Sequence, residues 1–288
     1  MAERYLLLWF TGDANINRGS IAPIRRAIED QVSAPADQVE IDIWLDSGGG
    51  DAHAAYKLAL MLRAVASRIR VVIPDYAKSA ATLLAISADE IYLAPGADLG
   101  PLDGQMIDEG SISGSISALS IAHAADEVAR DAVQMAMDGG ADLLAITGLS
   151  RAQTIEAMLT FSARFSEPLV CQLDPKVVHS AKQTLKVTAK YAELLLEEVG
   201  NENAREIAKA LVEVFPTHGY VISFKEAATL GLPVRPLAEY DYADAVRTAV
   251  RQEEAGSRLI HFGRLQDKPK PPAKSGKKRA SRKRKKEG

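Results

Sequence analysis

Cysteine is almost absent from this sequence, which contains one, Cys171, in 288 residues. A single thiol cannot form an internal disulfide and does not supply a metal framework. Histidine is also scarce, and the positions of His53, His123, His179 and His261 lack the spacing of a metal site. We therefore expect a chain without metal or other cofactors in a reducing, cytoplasmic compartment, with Cys171 buried in the core.

Long hydrophobic runs are missing as well. Residues 5–10 form an apolar stretch, YLLLWF, that is far too short to span a bilayer and lacks the cleavage pattern of a signal peptide. The composition is otherwise that of an ordinary globular chain, with 47% hydrophobic and 25% charged residues. The sequence therefore predicts a soluble protein with no membrane span.

Charge is divided unevenly along the chain. Residues 267–288 contain eleven Lys or Arg and two acidic residues, a net charge of +9, so residues 1–266 carry −12 of the total of −3. Such a Pro-rich, apolar-poor segment cannot bury enough surface to offset its ordering entropy. We expect residues 267–288 to be a disordered basic tail that either solubilises the chain or makes weak contact with nucleic acid or anionic surfaces.

The pattern of residues 5–100 is that of an α/β fold with a parallel sheet and crossover helices. Strands are predicted at 5–10, 39–45, 69–73 and 90–93, with helices at about 20–31, 52–66 and 79–88. Ser20 is the predicted N-cap of the first helix, so that Pro23 falls in its first turn.

The second half of the chain is Ala-rich and typical of helices. Helices are expected at about 117–138, 151–165, 176–199 and 203–213, with ends at the glycines of residues 138–140 and 198–201. A short strand at 220–222 and a helix from Ser223 to about Leu230 follow.

Two turns of small residues follow successive predicted strands, where open α/β sheets place their ligands. The first is LDSGGGD at residues 45–51, whose glycines let backbone amides approach a ligand oxygen. The second is DYAKSAAT at residues 75–82, which places Ser79 at the start of a helix. A serine there is commonly only a cap. Together, however, the two turns could set the Ser79 hydroxyl beside the amides of Gly49 or Gly50 and Ala80, which suit a developing oxyanion.

The order and spacing of these blocks resemble the serine dehydrogenase proteinase family, which belongs with signal peptide peptidase A and the Clp protease subunit in the Clp/crotonase superfamily. The matching blocks are LDSGGGD at 45–51, AKSAATLLAISADEI at 77–91, GPLDGQ at 100–105 and THGYVI at 217–222. The resemblance implies a Clp/crotonase-like fold of repeated β-β-α units with a parallel sheet and a helical C-terminal half. Residues 1–266 would form the serine peptidase domain, with a helical insertion at about 106–214.

The resemblance implies that Ser79 is the nucleophile and that amides of Gly49 or Gly50 and of Ala80 form the oxyanion hole. It does not supply the base, because Asp103 stands at about the distance where the Clp subunit has its histidine. The candidates are His218, which needs only a modest environment to be neutral near pH 7, and Lys182 or Lys186, which would need burial or mutual repulsion.

The resulting prediction is hydrolysis of polypeptides by a homo-oligomeric serine protease. Two other functions stay open. A crotonase-like acyl-CoA enzyme would use the same fold and paired amides without a nucleophilic serine. A pseudo-peptidase scaffold would fit the missing histidine and the basic tail.

Overall fold

The computed structural model describes residues 2–9, 15–107, 115–255 and 260–265. One sheet of six strands organises it, in the order β10-β1-β2-β3-β5-β9, and all neighbouring pairs are parallel except β1 with β10. Two further sheets pair β4 with β6 and β7 with β8. The strands are β1 (Glu3–Trp9), β2 (Val39–Leu45), β3 (Arg68–Ile73), β4 (Tyr76–Ala77), β5 (Glu90–Leu93), β6 (Asp98–Leu99), β7 (Gln105–Ile107), β8 (Ser115–Ser117), β9 (Val234–Pro236) and β10 (Ile260–Arg264).

Helices pack around this sheet and fill most of the second half of the chain. They are α1 (Arg18–Gln31), α2 (Ala52–Val65), α3 (Ala80–Ala85), α4 (Ala118–Thr147), α5 (Arg151–Val170), α6 (Pro175–Glu198), α7 (Ala204–Glu213), α8 (Phe224–Thr229) and α9 (Ala243–Ala255). Short 3-10 helices lie at Ala36–Gln38 and Leu237–Glu239. The predicted α/β class, parallel sheet and helical C-terminal half are confirmed.

Both faces of the sheet are largely buried, which explains why most residues of its central strands are apolar, and the buried Arg70 of β3 is paired with Asp42 and Glu90 of the neighbouring strands. On one face, Ile43, Val71 and Ile91 belong to the main core together with side chains of α2 and α3. On the other face, Trp44, Val72 and Tyr92 pack with Tyr240 and with Val246 and Val250 of α9. Because β2 and β3 are held rigidly between these layers, the turns that follow them have fixed positions.

Some local predictions were wrong. Helix α1 begins two residues before Ser20, because Asn17 is the N-cap and Ser20 completes a capping box with it. Pro23 therefore lies beyond the first turn. Residues 220–222 form only an isolated bridge, Leu99 with Ile222, rather than a strand. Cys171 is exposed at the end of α5 instead of buried.

Helix α4 also continues through Gly139 and Gly140, where a helix end was predicted. A Cβ atom added at Gly139 would lie 2.7 Å from Cε of Met158 in α5. The glycines thus make room for a neighbouring helix, and that tertiary contact replaces their usual role as helix ends.

Among the helices of the described residues, none combines the length and the hydropathy that a bilayer span requires. The basic segment 267–288 lies outside the described residues, so its predicted disorder and its predicted contacts stay predictions.

Candidate active site

The glycine turn after β2 is shaped by close backbone packing. Gly49 has φ of +109° and Gly50 has φ of +140°, values that favour glycine. A Cβ atom at Gly49 would lie 2.6 Å from the carbonyl oxygen of Lys78 and 3.1 Å from the nitrogen of Ala80. Gly49 is therefore the residue that allows the two predicted turns to touch.

Backbone hydrogen bonds fasten the two turns together. The amide of Ser47 donates to the carbonyl of Tyr76 at 3.1 Å, and the amide of Lys78 donates to the carbonyl of Ser47 at 3.0 Å. The hydroxyl of Thr82 donates to the carbonyl of Ala77 at 2.7 Å. These bonds hold the backbone on both sides of Ser79.

Ser79 itself has a strained backbone, with φ of 51° and ψ of −119°. It is the one non-glycine residue with positive φ among those described. Although it occupies the N-cap position of α3, its side chain forms no capping hydrogen bond. The ordinary reading of Ser79 as a helix cap is therefore wrong, and strain of this kind clusters at functional sites.

Two backbone amides beside Ser79 have no hydrogen-bond acceptor among the described residues, namely those of Gly50 and Ala80. The amide of Gly49, by contrast, donates to the hydroxyl of Ser47 at 3.1 Å. Of the two predicted glycines, Gly50 is thus the one whose amide is available to a ligand oxygen.

A cavity of about 380 Å³ opens over Ser79, and helix α6 forms one of its walls. Gly104 touches this wall, because a Cβ atom there would lie 2.6 Å from Cγ2 of Thr184. The lining is largely uncharged and consists of Gly50, Asp51, Ala52, His53, Ser79, Ala80, Leu83, Leu102, Gly104, Ser180, Gln183, Thr184, Val187 and Thr188. A cavity of this volume lies within the range of ligand-binding sites in proteins.

His218 is joined to a buried carboxylate next to this cavity. Its Nδ1 atom lies 2.5 Å from Oδ1 of Asp103, which is 1% exposed, and 3.0 Å from the carbonyl oxygen of Asp103. The hydroxyl of Ser117 donates to the other carboxylate oxygen of Asp103 at 2.7 Å. Both neighbours of Asp103 in sequence, Leu102 and Gly104, line the cavity.

The Asp103 carboxylate raises the pKa of His218 above its ordinary value, chiefly through the side-chain hydrogen bond, while partial burial opposes this. From the sequence, Asp103 was recognised only as the residue that stands at about the distance from Ser79 where the Clp subunit has its histidine. Its partnership with His218, 115 residues away, was missed because no local pattern encodes it.

The side chain of Lys78 is held in an ion pair and does not line the cavity over Ser79. Its Nζ atom donates to Oδ2 of Asp98 at 2.8 Å and to the carbonyl of Tyr220 at 3.2 Å. Lys78 therefore ties the segment that carries His218 to the segment that leads to Asp103.

The predicted lysine alternatives lie elsewhere on α6. Lys182 and Lys186 are exposed, and they, like His218, are not among the residues that line the cavity over Ser79. His53, which the sequence excluded only as a metal ligand, does line this cavity. Its Nδ1 atom lies 2.9 Å from the hydroxyl of Tyr191, whose ring stacks on Tyr56 with centroids 4.1 Å apart. Within the described part of the chain, no three His, Cys, Asp or Glu side chains are grouped to hold a metal ion.

The parallel sheet thus has two interlocked turns at its carboxyl edge, one of small residues and one with a strained serine. The family model of ClpP-like SDH-type serine proteinases matches residues 20–142, which include both turns. The predicted family resemblance is thereby confirmed, and it points to an enzyme of the serine-protease type.

Two curated relatives are uncharacterized proteins of Methanocaldococcus jannaschii. One is 29% identical over 80% of this chain and 65% of its own length. The other is 27% identical over 69% of this chain and 53% of its own length. This chain thus spans less than two thirds of either relative. Among solved structures, a variant of the 1510-N membrane-bound stomatin-specific protease aligns with 81% of this chain and 80% of its own, at 17% identity and a TM-score of 0.45.

Proposed function

We propose that this protein is a serine peptidase that cleaves polypeptides through an acyl-enzyme on Ser79. The proposal rests on Ser79, whose backbone is strained and which lines the cavity together with Gly50 and Ala80. The backbone amides of Gly50 and Ala80 have no hydrogen-bond acceptor among the described residues. A strained serine whose hydroxyl forms no capping hydrogen bond, and which lies next to two available amide donors, is better suited to nucleophilic attack than to capping a helix.

In the proposed reaction, the Ser79 oxygen attacks the peptide carbonyl carbon while its proton passes to the base. The resulting oxyanion accepts hydrogen bonds from the amides of Gly50 and Ala80, each worth on the order of 3 kcal/mol in the transition state. The C–N bond then breaks and the amine leaves with the transferred proton. Water attacks the ester, which releases the carboxylic acid and restores Ser79.

His218 is the proposed base, with Asp103 as the residue that positions it. Because Nδ1 of His218 is engaged by Asp103, Nε2 is the nitrogen left to accept the Ser79 proton. The carboxylate also stabilises the imidazolium that forms, as in other serine peptidases. Lys182 and Lys186 are weaker candidates because both are exposed and no side-chain hydrogen bond from the described residues positions either of them, whereas Asp103 holds His218.

A fluorophosphonate probe tests the proposal, because only an activated serine reacts with it. We expect stoichiometric labelling of the full chain, with mass spectrometry locating the adduct on Ser79, and no labelling of the Ser79→Ala variant. Ser180 is the internal comparison, since it is the other serine of the cavity but lies inside α6, where backbone amides are bonded within the helix. An adduct on Ser180, or no adduct at all in a folded protein, would contradict the proposal. The second result would favour the pseudo-peptidase scaffold, and retention of CoA during purification would favour the acyl-CoA enzyme.

A further inference from the structure

The helical hairpin formed by α4 and α5 exposes more large apolar side chains than the rest of the described residues together. Ten of the seventeen exposed large apolar side chains of the described residues lie on it. Their exposed fractions range from 40% to 83%, and they are Val133, Met137, Leu144, Ile146, Ile155, Leu159, Phe161, Phe165, Leu169 and Val170. By contrast, the buried side chains of α5 are the polar residues Thr154, Ser162 and Ser166.

An apolar groove of about 560 Å³ runs along this hairpin, and we call it the hairpin groove. Its walls are formed by Val133, Ala136, Met137, Gly140, Ala141 and Leu144 of α4, and by Arg151, Thr154, Ile155, Met158 and Leu159 of α5. Met158 fits against Gly139 and Gly140, so the helices lie close together and the larger side chains project outward. Patches of this kind on soluble proteins mark interaction sites.

We propose that the hairpin groove is covered by the same hairpin of a second copy of this chain. Helix α5 has 20 residues and is therefore about 30 Å long, and two adjacent helices are about 20 Å wide. The product of these two lengths is roughly 600 Å² for a flat hairpin face, and protruding side chains add to this area. It approaches the roughly 800 Å² per partner of a stable interface. Two such faces would form a bundle of four helices, in which the apolar side chains of each copy cover those of the other.

Local pairing of opposite charges is compatible with a second copy. Residues 118–170 contain seven acidic and three basic residues, a net charge of −4 that opposes docking on an anionic lipid surface and that two copies must offset by apolar burial and by pairing of opposite charges. Arg151 is the only charged side chain in the groove lining, and it forms no ion pair with the described residues. Asp142 and Glu156 of the same hairpin are likewise exposed and unpaired within the described chain, so a second copy offers Arg151 its missing partners. The basic segment 267–288 could satisfy the acidic residues but contains no large apolar side chain to fill the groove.

Sedimentation equilibrium of the full chain tests the proposal. We expect an assembly of two or more chains for the unmodified protein. A variant with both Met137→Glu and Leu159→Glu should raise the dissociation constant by roughly 100-fold or more, because each interface would bury unpaired carboxylates. The matched control carries Leu60→Glu and Val214→Glu, which place the same charges on exposed apolar positions outside the hairpin. This control should assemble like the unmodified protein.

A second measurement does not depend on charged substitutions. In a Cys171→Ser background, Ile155→Cys should react with a maleimide at least tenfold more slowly than Val214→Cys, and dilution should remove the difference. Three results would overturn the proposal. They are a monomer at all accessible concentrations, unchanged assembly of the Met137→Glu and Leu159→Glu variant, and protection of Ile155→Cys that requires vesicles or residues 267–288. Neither measurement depends on Ser79, so this proposal and the proposed peptidase activity can fail separately.

Discussion

Replacement of Ser79 by glycine should separate the stability of this protein from its activity. At φ of 51° and ψ of −119°, a residue with a Cβ atom is strained by about 1–3 kcal/mol, whereas glycine is not. Glycine costs about 0.5–1 kcal/mol through the greater freedom of the unfolded chain. The Ser79 hydroxyl forms no hydrogen bond with the described residues, so its removal loses none. The net expectation is that Ser79→Gly is about 1 kcal/mol more stable than Ser79→Ala.

Ser79→Ala is the appropriate reference because it keeps the Cβ atom, and with it the strain, while it removes the hydroxyl. Thermal unfolding followed by circular dichroism should give a Tm for Ser79→Gly that is roughly 2–4 °C above that of Ser79→Ala. Both variants should be inert toward the fluorophosphonate probe. At Ser180, an exposed position inside α6, the order should reverse, with the glycine variant about 1 kcal/mol less stable than the alanine variant.

A Ser79→Ala variant that is as stable as Ser79→Gly, or more stable, would refute this reasoning. It would mean that the positive φ at Ser79 stores no strain. Backbone strain at Ser79 would then no longer support a role for this serine as the nucleophile.

Three further predictions concern the groups around Ser79. Gly49→Ala should abolish probe labelling and destabilise the fold, because its Cβ atom would overlap the carbonyl of Lys78, whereas Gly48→Ala should be tolerated since nothing lies within 4 Å of its Cβ position. Lys78→Met should lower the free energy of unfolding by about 3 kcal/mol in urea titrations at pH 7, because it leaves the buried Asp98 carboxylate without its cation. Hydrolysis should fall as the pH drops through the raised pKa of His218, so the midpoint of kcat/KM should lie above the ordinary histidine value of about 6.5. A midpoint at or below that value, or a profile unchanged in His218→Ala, would remove His218 as the base.

The central strands and the two turns could be predicted because their signals are local. Strands buried on both faces are rich in apolar residues, and small residues at the strand ends indicate the turns. The same reasoning fails where a distant residue decides the outcome. Helix α4 passes through Gly139 because Met158 packs there, and Asp42 is fully buried within β2 because the hydroxyl of Tyr240, 198 residues away, donates to it at 2.6 Å.

The geometry of Ser79 was predictable only in part. Its position at the start of α3 follows from the sequence, but a helix cap and a strained nucleophile have the same local pattern. What distinguishes them is the set of bonds that hold the neighbouring backbone, and above all the approach of Gly49 to Lys78 and Ala80. That approach joins two segments about 30 residues apart, so it belongs to the tertiary structure.

The aspartate at position 103 changes how the missing Clp histidine is to be understood. Spacing from the nucleophile treats Asp103 as a lost base, and a lost base favours a pseudo-peptidase. A Ser-His-Asp peptidase, however, needs only that an imidazole be oriented by a carboxylate, and such sites recur with their members in different chain orders. Here the bridge between Leu99 and Ile222 and the bonds of Lys78 bring the two segments together, and Asp103 holds the His218 ring. In the proposed mechanism, His218 and Asp103 are thus the imidazole and the carboxylate of the Clp site with their positions along the chain exchanged. A non-histidine residue at position 103 is not by itself evidence that the site is inactive.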